Sequence, residues 1–137
     1  FTYGIEIAEE YDPKKHGADR TCVKVVEGIA LKTKVFDILV KKGETLHVGE
    51  VREHAGFPLT KDQMSAGHTL YCTEKDGVRF VDEPNVNLVG SWETPLSGVG
   101  TDRAIEGRWF FAETEIVYQV RQIGSSDWLE TTFNFQN

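Results

Sequence analysis

Apolar and polar positions alternate at short range in places, as in Asn85–Trp92, where Val86, Leu88, Gly90 and Trp92 share one face. Val, Ile, Thr, Phe, Tyr and Trp recur in brief runs broken by thirteen glycines. A period of two is the signature of strands, not of helices. The pattern predicts strands at Thr2–Glu9, Arg20–Val26, Lys32–Lys41, Leu46–Ala55, His68–Glu74, Val78–Val81, Asn85–Trp92, Gly107–Arg121 and Trp128–Phe135. Lys42-Gly43 and Asp76-Gly77 read as tight hairpin turns, and Gly124-Ser125-Ser126-Asp127 as the closure of the last hairpin. Ser97 to Gly100 reads as a Gly-rich loop, and residues 10–19 as a polar loop. The one helical expectation is Leu59–Ala66, where Thr60 is a plausible N-cap and Gln63 follows at the third helical position.

Gly107–Arg121 carries the most information. Trp109, Phe110 and Phe111 are consecutive. On a single strand they place aromatics on both faces, and a strand apolar on both faces is buried on both. Fifteen residues would span roughly 50 Å, so a bend or bulge is expected within it. In a small all-β chain this suggests a closed barrel covered outside by another subunit or a flanking segment, and the excess of apolar strand faces predicts a homo-oligomer, a dimer or trimer.

Size and composition narrow the class. At 137 residues the chain is expected to form one domain, 1–137. Its formal net charge of −7 disfavours nucleic acid as a partner. No apolar run approaches the ~18 residues of a membrane span. No N-x-S/T sequon occurs, which leans toward the cytoplasm; no signal-peptide pattern is visible, and the abrupt opening at Phe1 leaves a removed one open. Cys22 and Cys72 have no metal-ligand spacing; two free thiols or one disulfide both fit.

Candidate chemistry is sparse. His16, His47, His54 and His68 show neither H-x-H nor H-x3-H spacing, so no metal site is expected. There is no G-x-S-x-G elbow, and Gly98-Val99-Gly100 lacks a following P-loop lysine. Two G-x-W triplets occur, Gly90-Ser91-Trp92 and Gly107-Arg108-Trp109. A glycine there lets a large ring pack against neighbouring backbone. Seven aromatics lie from Trp109 onward, which fits either a filled core or an apolar lumen holding a hydrophobic ligand. Tyr71, Glu113, Tyr118 and Arg121 are the polar groups that could orient such a ligand. On one continuous strand Tyr118 shares a face with Phe110, and Glu113 with Trp109 and Phe111. Glu113 among aromatics would have a raised pKa and serve as an acid or base; the alternative is a solvated outward edge.

The element order carries a resemblance. A strand with Phe36-Asp37 leads through Gly43 to Val48-Gly49. Leu70-Tyr71-Cys72 follows, then Asn85–Gly90 with its Gly-Ser-Trp ending. Gly98-Val99-Gly100-Thr101-Asp102-Arg103 and a long aromatic stretch come last. This resembles the allene oxide cyclase/dirigent family and the small [4+2] cyclases of spirotetronate polyketides. Gly100-Thr101 matches the family's loop, while Asp102 and Ala104 depart from it. The resemblance implies an eight-stranded, antiparallel up-and-down β-barrel of calycin type that needs no cofactor. Its function would be that of a cyclase or isomerase of natural-product biosynthesis, such as a Diels-Alderase, holding a hydrophobic small-molecule substrate in a reactive conformer. Tyr71, Tyr118 and Glu113 would be catalytic, with Trp92, Trp109, Phe111 and Arg121 binding substrate. A lipocalin-like carrier and a barrel filled with side chains are the alternatives.

Overall fold

The computed structural model describes residues 1–18, 21–45, 47, 49–112 and 114–134. Nine strands are formed: β1 (Thr2–Glu10), β2 (Val23–Val26), β3 (Ile29–Val40), β4 (Val51–Gly56), β5 (Ser65–Thr73), β6 (Val86–Pro95), β7 (Ile105–Phe111), β8 (Glu115–Gln122) and β9 (Leu129–Asn134). A single helical turn, α1 (Pro13–His16), lies between β1 and β2. The all-β expectation therefore holds. The strands form two sheets, in the orders β2-β3-β1-β5-β6 and β4-β7-β8-β9. Among the described residues no pairing joins these into one eight-stranded ring.

The chain groups into two compact units, with boundaries inside β5 and β6: Phe1–Lys42 with Leu70–Leu88, and Gly43–Thr69 with Val89–Asn137. In the first unit β1 is flanked by β3 and by the end of β5, pairing Ile5 with Asp37 and with Leu70. Tyr3, Ile5, Phe36, Leu39, Val40, Leu70 and Cys72 are buried there. Gly4 is required by a close approach: a Cβ would stand 2.7 Å from the Asp37 carbonyl and 2.8 Å from the edge of the Phe36 ring. A bulge interrupts β3, since Ile7 pairs with Val35 but Glu9 pairs with Lys32. The extra residue Lys34 takes a left-handed backbone, φ 59°, unusual outside glycine. In the second unit Trp109, Phe111, Ile116, Tyr118, Val120 and Phe133 form the buried set.

Four expectations are corrected. Gly107–Arg121 is not one strand but the hairpin β7–β8, which pairs Trp109 with Tyr118 and Phe111 with Ile116. The Ala112 N–H donates to the Glu115 carbonyl at 2.9 Å and reverses the chain. Reversal resets the faces: Gly107, Trp109 and Phe111 are buried while Phe110 is only half-buried. Tyr118 thus shares a face with Trp109, not with Phe110. Leu59–Ala66 forms no helix. The Gln63 side chain instead accepts from the Leu59 N–H at 2.9 Å and donates to the Ser65 carbonyl at 2.7 Å, fixing a loop. Val78–Val81 is not a strand; it makes one bridge, Val35 to Phe80. Finally, the polar loop 10–19 contains α1. Asp12 caps it by accepting the Lys14 N–H at 3.0 Å, and Pro13 occupies the first turn.

Candidate functional site

The densest polar constellation lies in the second unit, around Tyr118. Its side chain is fully buried. β8 places it opposite Trp109 on β7, and the two rings stack at 3.9 Å between centroids. Trp92 on β6 meets the phenol edge-on at 6.1 Å. β4 brings His54 opposite Gly107. A Cβ on Gly107 would lie 2.6 Å from both the His54 ring and the Tyr118 hydroxyl, so only glycine leaves room for their meeting. Gly90 does the same for Phe133, whose ring fills the place of its Cβ at 2.5 Å. Both G-x-W glycines therefore make space for aromatic rings from other strands.

The polar atoms of this cluster form one directed chain. An indole N–H can only donate, so Trp109 Nε1 gives its proton to His54 Nδ1 at 3.1 Å. His54 must then carry its own proton on Nε2, which faces the Tyr118 oxygen at 3.3 Å. The Tyr118 hydroxyl is left to donate to His68 Nδ1 at 3.0 Å. His68 Nε2–H ends the sequence on Thr94 Oγ1 at 2.9 Å. The links from Trp109 to His54 and from Tyr118 to His68 require neutral imidazoles, because in each the ring Nδ1 accepts. Burial supplies that state: it pushes both histidines down to about 4, His68 further disfavoured by the neighbouring His54. Burial likewise raises the Tyr118 pKa. Groups held this way are poor proton donors and acceptors at neutral pH. The chain is suited to fixing a unique core.

The sequence-selected residues are distributed unequally. Trp92, Trp109 and Tyr118 meet in this cluster, and Phe111 is buried in the same unit. Tyr71 belongs to the first unit, where its hydroxyl donates to Glu6 at 3.0 Å. Its pKa rises to about 12, through burial first and the Glu6 carboxylate second. Arg121 lies on the face of β8 opposite Tyr118. It is paired with Glu106 and stacked over Trp128 at 4.7 Å. Glu113 lies outside the described residues. Cys22 and Cys72 are free thiols. Among the described residues no group of three or more His, Cys, Asp or Glu side chains could hold a metal. Likewise no helix is long and apolar enough to cross a membrane.

His54, His68 and Thr94 were not singled out by sequence reasoning. A signal for His68 exists: Ala66, His68, Leu70 and Cys72 alternate as the buried positions of β5. An imidazole on that apolar face needs buried hydrogen-bond partners.

A second constellation in this unit is built on Arg103. It is a buried arginine in the Gly-rich loop. Its guanidinium donates to the carbonyls of Gly100 (2.7 Å), Gly98 (3.2 Å) and Lys61 (3.1 Å). The Gly100 N–H adds a bond to the Lys61 carbonyl at 2.8 Å, and the Leu96 N–H one to the Met64 carbonyl at 2.9 Å. Gly98 and Gly100 adopt φ of 82° and 112°, which glycine takes without strain. Loops 57–64 and 96–103 are thereby tied together. They leave Phe57 64%, Met64 82% and Val99 71% exposed.

Fold and sites define an all-β chain with a closed, neutral polar core and a rigid loop pair that presents apolar side chains to solvent. No protein-family profile matches the chain. Over 141 residues, 99% of its length, it is 27% identical to heat shock 70 kDa protein 12A of Homo sapiens, and equally to that of Mus musculus. It is 24% identical over 144 residues to heat shock 70 kDa protein 12B of Homo sapiens. The alignment takes in 21% of each relative, so the chain spans about a fifth of the length of these curated proteins. These similarities do not bear on the cyclase-like resemblance.

Proposed function

We propose that the chain is a non-catalytic, polypeptide-binding β-module of a heat-shock-70-type protein. One observation carries the reading: the loops clamped by Arg103 hold Phe57, Met64 and Val99 exposed on a rigid mount. Heat exposes apolar segments of other chains. A protein whose relatives are named for heat shock has reason to present apolar side chains to such segments. Rigid mounting lowers the ordering entropy that binding must overcome. The ligand is an extended apolar peptide, held by Phe57 and Met64. Burying either side chain against it contributes about 1.5–3 kcal/mol, roughly ten- to a hundredfold in affinity. Fluorescence anisotropy of a labelled apolar heptapeptide tests this. Phe57→Ser and Met64→Ser should each weaken binding by at least about tenfold, while Val25→Ser, an exposed position in the first unit, should leave it unchanged. Equal binding by the Phe57→Ser/Met64→Ser double variant refutes the proposal.

The cofactor-free cyclase and the hydrophobic-ligand carrier form a second reading, in which an eight-stranded barrel would enclose the ligand. The meeting of Trp92, Trp109 and Tyr118 favours it. A substrate would have to take the Tyr118 hydroxyl away from both histidines, and Tyr71 at about 12 is a weak acid at neutral pH. We rank it below peptide binding for those reasons. Turnover of a polyene substrate abolished by Tyr118→Phe would reverse the order. Self-association as a dimer or trimer belongs to the same reading, and light scattering showing only a 15.4 kDa species would count against it.

A further inference from the structure

The first unit holds a cavity of about 340 Å³ beside the bulge of β3. Lys32, Lys34, Arg79, Phe80, Cys22 and Asp82 are among the side chains that line it. Among the described residues that line it, three cations stand with one carboxylate, a formal +2 in a chain whose formal net charge is −7. None of the three cations forms an ion pair among the described residues.

Lys32 is the telling group. It is only 7% exposed. Its ammonium donates to the Thr21 carbonyl and lies 4.7 Å over the Phe80 ring. An ammonium has three donors, and a carbonyl with a ring face engages two. A buried cation without a counter-anion is costly to keep. The backbone around the cavity is also held away from its easy conformations. Cys22 and Lys34 both take left-handed φ, 60° and 59°. The Val81 N–H donates to the Lys34 carbonyl at 2.9 Å and the Phe36 N–H to the Arg79 carbonyl at 2.8 Å, which fixes Lys34 and Arg79 on adjacent segments. Non-glycine residues in this region gather at ligand sites.

We propose that this cavity binds a small phosphate-bearing anion, with Lys32, Lys34 and Arg79 as its ligands. A phosphate group near pH 7 carries about −1.5 to −2, opposite in sign and similar in size to the charge of the described lining residues. Arg79 supplies a forked pair of donors and the lysines supply point charges. Asp82 sets the limit on charge and disfavours more anionic ligands. The site lies in the first unit and does not rest on peptide binding in the second, so each can fail alone.

Calorimetric titration with inorganic phosphate, and separately with adenosine monophosphate, tests the proposal at low ionic strength against matched chloride. Saturable binding of one phosphate group is expected. Arg79→Gln and Lys34→Asn should each weaken it by about tenfold, the loss of one charge-assisted contact. Both positions are exposed, and asparagine tolerates the left-handed backbone at position 34. The variant Lys14→Gln/Lys24→Gln removes two other surface cations and should bind as the parent does. Tighter binding of the monophosphate marks a nucleotide as ligand, and equal binding marks free phosphate. Absence of saturable binding, equal competition by chloride, or an equal loss in the Lys14/Lys24 variant overturns the assignment.

Discussion

Acidification should unlock the second unit through His54 and His68. Both are neutral links in a chain that needs their bare nitrogens as acceptors. Their folded pKa is pushed down to about 4, against 6.5 for an ordinary histidine. The unfolded chain therefore binds protons first, from about pH 6.5 downward. Stability is fully present above that pH and is lost progressively until both folded groups also protonate near pH 4. At pH 5 each histidine favours the unfolded chain by about 2 kcal/mol relative to pH 8. That is a large part of the 5–15 kcal/mol typical of a domain. Urea unfolding followed by tryptophan emission at pH 8, 6.5 and 5 measures the effect, since Trp109 sits within the cluster. The reading is the difference between the parent and a His54→Asn/His68→Asn variant, which removes contributions from carboxylates elsewhere. A parent that loses stability no faster than the variant between pH 8 and 5 would refute the assignment of two buried neutral imidazoles.

Three further outcomes follow from the same geometry. Tyr118→Phe keeps the ring stack but strands His54 Nε2–H and His68 Nδ1, and should lower unfolding free energy by about 1–3 kcal/mol in equilibrium denaturation. Gly107→Ala drives a methyl to 2.6 Å from the His54 ring and the Tyr118 hydroxyl; overpacking of about 1–3 kcal/mol should appear in the same assay, with the His54 ring signals displaced in NMR spectra. Arg103→Met removes the charged donors from Gly98, Gly100 and Lys61. Amide exchange in 57–64 and 96–103 should quicken at least about tenfold while the Tyr118 amide stays protected.

Much of the fold was legible because strand formation is local. Runs of β-branched and aromatic residues, with period-two alternation in β6, locate β1, β3, β5 and β6 within a few residues, and Gly124 to Asp127 marks the β8–β9 turn correctly. The reading failed where the turn carries no glycine or proline. Ala112 to Thr114 offers no such signal, so β7 and β8 read as one strand. That error also misassigned faces, because a hairpin reverses the parity on which every inward or outward assignment depends. It put Phe110 on the face of Tyr118 and suggested a strand buried on both sides. The helix expected at Leu59–Ala66 failed for a different reason: Gln63 makes its cap-like bond to Leu59 without any helical turn following.

The sequence by itself determined an all-β chain, the positions of most strands, and an aromatic-rich final third with Trp92, Trp109 and Tyr118 as notable members. It could not say which strands would pair, and pairing decides the chemistry. His54 and His68 lie 64 and 50 residues from Tyr118 along the chain. Arg103 reaches back 42 residues to Lys61. Lys32 and Arg79 meet at one cavity only because a bulge in β3 receives a segment far away in sequence. Alternation arises from the backbone of each residue and its neighbours, so it is written locally. Register and hydrogen-bond partners arise from non-local packing, which only the tertiary structure supplies.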